Sequence, residues 1–179
     1  MEKIDTFQLK DGGTVDIVLP SMKGLKAITN LVNKLSKEDT FLSFAGEVYS
    51  IAHEKNWLKN LLQEMKFKKT LMVWAVLDGN IIGSCDVKKG LSRRSHVGTI
   101  GLMIDSDFRG QGLGQYLIKK VINDSKKIGL KIVMLTVFDN NKPAKNLYRK
   151  IGFQECGRLP DGLFRRGDYS DDIWMYKNL

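Results

Sequence analysis

A chain of 179 residues with 42% hydrophobic and 27% charged residues has an ordinary globular balance and is long enough to bury a sizeable core. Its net charge of +9 calls for an anionic partner, which leaves nucleic acid, a membrane surface or a phosphorylated cofactor as candidates. Two cysteines without a CxxC partner and two histidines argue against a disulfide scaffold and a metal centre, and no apolar run approaches the roughly 20 residues of a membrane helix.

The opening residues, MEKIDTFQLKDGG, lack the apolar stretch of a signal peptide, so the expected location is the cytoplasm. IDTFQLKDGGTVDIVLP reads as a hairpin turning at Asp11-Gly12-Gly13. From Ser21, Leu25, Ile28, Leu31, Val32 and Leu35 fall at helical spacing. LSKEDTFLSFAGEVYS is ambiguous and is expected to hold a short helix or turn. From His53 to Phe67, Trp57, Leu58, Leu61, Leu62 and Met65 share a helix face. TLMVWAVLDGNIIGSCDVKK reads as a second hairpin, turning at Asp78-Gly79, and HVGTIGLMID as a further strand. A helix follows Arg109, with Leu113, Leu117, Val121 and Ile128 as its buried stripe and Gly129 as its stop. KIVMLTVF is a continuous apolar run, expected to be a central strand covered on both faces. A short helix runs from Asn141 to Ile151, capped by Asn140 or Asn141 and ended by Gly152. FQECGRL and DIWMYKNL close the chain as strands. No linker or repeat divides the sequence, so one mixed α/β domain over 1–179 is expected.

The stretch DFRGQGLGQYL places three glycines between a strand and a helix. Helix N-termini present unsatisfied N–H groups and the positive end of the macrodipole, and glycine lets an anion approach them. A P-loop needs GxxxxGK[ST], but Gln115 stands five positions after Gly110. A dinucleotide fingerprint needs GxGxxG, and its third glycine is Gln115 or Leu117 in the two available registers. Both fail.

The pattern that fits is [QR]xxGx[GA], filled by Arg109, Gly112 and Gly114, which resembles the pyrophosphate-binding motif of the GNAT superfamily of acetyl-CoA-dependent N-acetyltransferases. A second block, NKPAKNLYRKIGF, resembles that family's NxxAxxLYxxxGF, with Asn141, Ala144, Leu147, Tyr148, Gly152 and Phe153 in place one helix and one strand later. The resemblance covers the chain in detail from about Thr70 and the first 69 residues only in outline. It implies a mixed, mostly antiparallel sheet with a splayed parallel strand pair, flanked by helices. Residues 1–69 would form the acceptor side and 70–179 the acetyl-CoA-binding core. It also implies acetyl-CoA as cosubstrate and no metal. The acceptor would be a primary amine on a small molecule or peptide, attacked directly through a tetrahedral intermediate, and a homodimer is one expected state. A non-catalytic acyl-CoA sensor on the same fold is the alternative. Nothing beyond charge favours nucleic acid, since no RNP-like or zinc-finger pattern accompanies it.

Carried over residue by residue, Arg109, Gly110, Gln111, Gly112, Leu113 and Gly114 would hold the pyrophosphate, with Gln115 at the edge. Leu102, Met103 and Ile104 would pair with the pantetheine arm as an added strand. Asn141 would contact the arm or cap its helix, and Ala144 is small where the cofactor passes. Lys145 and Lys150 could reach phosphate or simply be solvated. The resemblance aims the Tyr148 hydroxyl at the thioester sulfur as general acid. Many relatives carry a glutamate as base where this chain has Thr99, so the base is open among His96, Glu47, Asp168 and water. Glu47, Tyr49, Asp168 and Tyr169 are the candidates to line the acceptor slot.

Overall fold

The two β-rich runs at the start pair as expected. β1 (Lys3–Gln8) and β2 (Thr14–Val18) form an antiparallel hairpin, and Asp11 Oδ1 accepts from the Gly13 N–H at 3.1 Å in its turn. The structure, a computed structural model, describes every residue except Ser43 and Ala45. After a 3-10 turn at Met22–Gly24, α1 (Leu25–Glu38) buries Ile28, Leu31, Val32 and Leu35 and stops at Asp39, in the left-handed region with φ 47°.

The ambiguous stretch after Leu35 divides. Leu35 to Glu38 complete α1. The later residues are latched back onto that helix: Ser36 Oγ donates to the Glu47 carbonyl at 2.7 Å, and the Asn33 amide bonds both the N–H and the C=O of Tyr49. Those side chains satisfy backbone groups that a helix or strand would otherwise satisfy. The part of the expected helix or turn at Ser43 and Ala45 lies outside the described residues. α2 (Ile51–Lys66) then starts on Ser50, whose Oγ accepts from the His53 N–H at 3.1 Å.

β3 (Thr70–Leu77) and β4 (Asn80–Lys89) turn at Asp78-Gly79, both at positive φ, the geometry of a tight hairpin. β5 (Val97–Ile104), α3 (Leu113–Lys127), β6 (Ile132–Phe138) and α4 (Lys142–Ile151) follow. β7 (Gln154–Arg165) and β8 (Asp168–Asn178) close the chain as one long hairpin, considerably longer than FQECGRL and DIWMYKNL suggest. Pro160-Asp161-Gly162 looks like a loop in sequence. Instead these three residues oppose Asp171 alone, between the pairs Leu159–Asp172 and Leu163–Ser170, as a bulge in a continuing strand.

The eight strands form one sheet in the order β1-β2-β3-β4-β5-β6-β8-β7. Every neighbouring pair is antiparallel except β5–β6. That parallel pair is joined by only Val97–Ile132, Gly98–Val133 and Thr99–Met134. Beyond it β5 continues on β4 to Ile104 and β6 continues on β8 to Phe138, so the two strands part. This is the mixed, splayed architecture that the sequence implies.

Helices cover the two faces unequally. α3 and α4 pack on one face through Leu113, Leu117, Val121 and Ile151. α1 and α2 cover the other face over β2 to β4, around the fully buried Trp74. β6 therefore departs from expectation. Val133, Leu135 and Val137 are buried on the α3 side, but Met134 is only partly covered and Thr136 is exposed, because α1 and α2 lie over other strands. Its apolar run is not the mark of a strand covered on both faces.

Candidate active site

The divergence of β5 and β6 opens a cleft of about 810 Å³. Its floor is β5, through Leu102, Met103 and Ile104. One end is the glycine turn entering α3, through Arg109, Gly110, Gly112, Gly114 and Gln115. The α4 wall is Asn141, Ala144, Leu147 and Tyr148. The two sequence blocks, separated in the chain by residues 115–140, meet here because β6 between them carries the chain back along the sheet.

The glycine turn is built to present N–H groups. Gly110 and Gly112 have φ 75° and 90°, a region that side chains rarely adopt, and nothing lies within 4 Å of where a Gly110 Cβ would stand. The first helical bond of α3 runs from Tyr116 N–H to the Gly112 carbonyl at 3.1 Å. Among the described residues, no protein acceptor takes the N–H groups of Gly110 to Gln115. An anion seated there would meet several convergent donors and the positive end of α3. Gly114 is different. Its φ is ordinary, and a Cβ would make only van der Waals contacts with Leu102 and Leu147, so alanine fits as the motif allows.

Two predicted members of the turn lie outside the cleft lining. Leu113 is buried in the core beneath it, and the Gln111 side chain reaches Asp11 at 3.4 Å. Arg109 lines the cleft, but its guanidinium is already engaged. It forms a two-pronged pair with the Glu38 carboxylate and donates through Nε to the Ile104 carbonyl at 3.1 Å. Lys34 ties the same loop to α1 through Asp105 at 2.6 Å and Asp107 at 2.7 Å, and its hydrogen bond, aided by its charge, holds the Asp107 carboxyl below the usual range. Lys10, which also lines the cleft, donates to the Gly110 carbonyl at 2.8 Å. The turn is thus braced by α1 and by the β1–β2 hairpin, neither of which the motif itself reveals.

On α4, Asn141 caps the helix: its Oδ1 accepts from the Ala144 N–H at 3.3 Å. Lys145 is neither solvated nor free to take a phosphate. It pairs with the Asp139 carboxylate and reaches the Asp139 carbonyl at 3.1 Å, whereas Lys150 lines the cleft. Tyr148 is partly buried, edge-on to Phe153 with ring centroids 5.9 Å apart. Burial pushes its phenol up to about 12, with the neighbouring Cys85 adding to the shift. The hydroxyl therefore keeps its proton throughout the neutral range.

The four acceptor-side candidates are not brought to this cleft. Tyr49 packs against Phe44 and His53, and Glu47 is exposed on the segment latched to α1. Asp168 and Tyr169 sit at the tip of the β7–β8 hairpin, where Tyr169 stacks on Phe164. His96 is exposed ahead of β5, and its carbonyl takes the N–H groups of Lys131 and Ile132. Thr99 is exposed at the last β5–β6 pair.

Other residues line the cleft instead. Glu38, Thr40, Phe41 and Leu42 arrive from the end of α1, Arg165 and Arg166 from the β7–β8 turn. Arg165 lies over the Phe41 ring at 4.1 Å and donates through Nε to the Asp39 carbonyl at 2.8 Å. The only local signal for them is the Arg165-Arg166-Gly167 turn itself. Their convergence is a tertiary fact. Among the described residues no group of three or more His, Cys, Asp or Glu is placed to hold a metal, and no helix is long and apolar enough to cross a membrane.

A model of the acetyltransferase (GNAT) family matches residues 28–153. The L-amino acid N-acetyltransferase AaaT of Escherichia coli (strain K12) is 30% identical over 122 residues, which cover 66% of this chain and 73% of that one. A GNAT-family acetyltransferase from Streptococcus pneumoniae superposes with a TM-score of 0.83 at 24% identity, over 92% of this chain and 99% of that one. The yncA protein of Salmonella typhimurium, solved with its cofactor acetyl-CoA, superposes with a TM-score of 0.80 at 14% identity, over 92% of this chain and 94% of that one.

Proposed function

This chain belongs to the acetyltransferase (GNAT) family, and from that premise we propose how its cleft moves an acetyl group from acetyl-CoA to a primary amine. The observation that carries the proposal is the meeting of the unspent N–H groups of Gly110 to Gln115 and the Tyr148 hydroxyl in one cleft floored by the free edge of β5. Acetyl-CoA supplies an activated thioester carbonyl and a thiolate leaving group. The turn at Gly110, Gly112, Gly114 and Gln115 holds the pyrophosphate with backbone donors, and Arg109, neutralised by Glu38, keeps the turn in shape. Backbone groups of Leu102, Met103 and Ile104, unpaired on the β6 side, take the amide-bearing arm as an added strand. Ala144 leaves room for that arm.

Tyr148 hydrogen-bonds the departing sulfur and delivers its proton. With its phenol near 12 and a free thiol near 8.5, full transfer in water would be uphill by about 3.5 pKa units, or about 5 kcal/mol. A desolvated thiolate is more basic than a solvated one, so exclusion of water from the slot narrows this gap. Attack is direct. Cys85 is buried in the core with its thiol pushed well above the ordinary range, and Cys156 is exposed on β7 away from the cleft lining, so neither serves as a relay nucleophile.

For the acceptor we propose a small amine that also carries a carboxylate. Arg165 and Arg166 support this, lining the cleft together with the uncharged Thr40, Phe41 and Leu42. The relative named as an L-amino acid N-acetyltransferase points the same way.

The test is thiol release from acetyl-CoA against amino acids and the matched amines lacking the carboxylate. Turnover is expected for amino acids, with kcat/KM at least tenfold lower for the decarboxylated partners. Tight acetyl-CoA binding with no release for any amine would instead make the protein a sensor. In an active enzyme, Tyr148→Phe is expected to lower kcat on the order of 10²-fold or more while leaving CoA affinity within twofold. Unchanged kcat across the pH range removes Tyr148 from the chemistry.

A further inference from the structure

A primary amine near neutral pH is an ammonium, and only the free base attacks a carbonyl. A proton must therefore leave the acceptor nitrogen at the slot. Tyr148 holds its own proton, Thr99 has no basic group, and His96 is exposed ahead of β5, at the end of the β5–β6 pairing opposite the slot. Building on the acetyl-transfer reading above, we propose that Asp86 on β4 is the general base, taking the ammonium proton through one bridging water.

The argument rests on where the Asp86 carboxylate lies. Asp86 pairs with Gly101 of β5, two residues beyond Thr99, where the β5–β6 pairing ends. A Cβ added to Gly101 would stand 2.6 Å from Asp86 Oδ1. The carboxylate thus occupies the space that a side chain at 101 would fill. It leans across β5 towards the strand edge that forms the slot. Its neighbour in register is Leu102, paired with Cys85, and Leu102 lines the cleft.

The two faces of the sheet divide the labour. Residue alternation puts Asp86 and Gly101 on the α1–α2 face, with Met72 of β3 beside them, whereas Tyr148 approaches from the α4 side with Cys85 as neighbour. Across the slot, alternation from Met134 puts Thr136 on the Asp86 face, and Thr136 pairs with Trp174. Both are exposed, so an amine can enter there from solvent. The arrangement sets an acid and a base on opposite sides of the reacting carbonyl.

Asp86 is also chemically free to act. It is partly buried, and among the described residues no hydrogen bond or salt bridge engages it. Ser84 Oγ, next on the same face, is buried without a partner, so a bridging water would find two polar groups in one file. The charged groups that face Asp86 are Lys88 on β4 and Glu64 on α2, which pair with each other at 2.8 Å. β3 and β5 present only Met72 and Gly101. Burial raises the Asp86 carboxyl to about 6, with Lys88 opposing the rise and Glu64 adding to it. A base of that strength is ionised at neutral pH yet binds a proton readily.

The protons balance. As the C–N bond forms and the C–S bond breaks, one ammonium proton stays on the amide nitrogen. One passes to Asp86 and on to solvent. The third replaces the proton that Tyr148 gives to the thiolate.

The experiment is the pH dependence of kcat/KM for wild type, Asp86→Asn and Gly101→Ala, with CoA affinity measured in parallel. Wild type is expected to show an acidic limb near pH 6. Asp86→Asn should lose that limb, fall 10²-fold or more at pH 7 and recover towards pH 9–10, where hydroxide and free amine take over, with CoA binding within twofold. Gly101→Ala keeps the carboxylate but displaces it, and should fall at least tenfold at pH 7. An active wild type matched within threefold by Asp86→Asn, with the same acidic limb, overturns this inference alone. A wild type inactive towards every amine overturns the acetyl-transfer reading and this inference with it.

Discussion

Asp86 illustrates how one residue can work against the fold that carries it. Its carboxyl is raised from an ordinary value of 3.8 to about 6 by burial, so the folded protein prefers the protonated form. The sign follows from linkage: the site costs nothing below about pH 4, and stability is lost as pH rises through about 6. A shift of this size corresponds to on the order of 2–3 kcal/mol, an upper figure for a group that is only partly buried. Asp86→Asn should therefore unfold at the same temperature as wild type at pH 4 and at a higher one at pH 8. Thermal melts at both values check this, and an equal difference at the two pH values would contradict the assignment. Asp86 was not legible in the sequence as a functional residue. An aspartate in NIIGSCDVKK looks like the polar member of a half-exposed strand, and only its pairing with Gly101 gives it a direction. Tyr148 was legible, because its block is contiguous and lies on one helix face.

At the scale of elements, short-range signals carried the helices well. α4 combines an Asn141 cap, Pro143 in the first turn and Gly152 at φ 97°, each a local device that needs no tertiary partner. Asn141→Ala is expected to lose about 1 kcal/mol, visible as a lower urea midpoint with unchanged slope. The glycine turn is likewise local. Gly112→Ala must place a Cβ at φ 90°, so the turn shifts and CoA affinity should drop at least tenfold, while Gly114→Ala stays within threefold. Isothermal titration with CoA separates the two. Strand length was less legible. β7 runs through Pro160-Asp161-Gly162 as a bulge because β8 holds it on both sides, and local propensity cannot see that partner. β6 misleads for a related reason, since an apolar run does not say which helices will lie over it.

The molecule as a whole is organised around a deliberate gap in its sheet. Three residue pairs join β5 to β6, and past Thr99 the edge of β5 is left for an added strand. A ligand filling that edge binds only the folded state. At a hundred times its Kd, CoA should stabilise the protein by about 2.7 kcal/mol, which for a chain of this length raises Tm by roughly 5–10 °C. Hydrogen exchange gives the location: amides of Gly101 to Ile104 that face the slot should slow on CoA addition, and those of the β1–β2 hairpin tip should not. Uniform slowing throughout would argue against strand addition.

The amino-acid sequence alone was enough for the class of fold, the glycine turn, the α4 block and the acetyl-CoA chemistry they imply. The turn and the block are written in contiguous residues whose spacing obeys a turn geometry or a helix period, and their resemblance to the GNAT family carried the fold and the chemistry. The acceptor end was not. Glu47, Tyr49, Asp168 and Tyr169 follow from where the resemblance puts acceptor-binding elements, in the N-terminal helices and before the last strand, and none of them lines the cleft. Glu38, Phe41, Arg165 and Arg166 meet in the cleft, and Asp86 lies over Gly101, only because eight strands pair in a particular order. Contacts between residues far apart in sequence depend on register and packing across the whole sheet, and no local pattern encodes them.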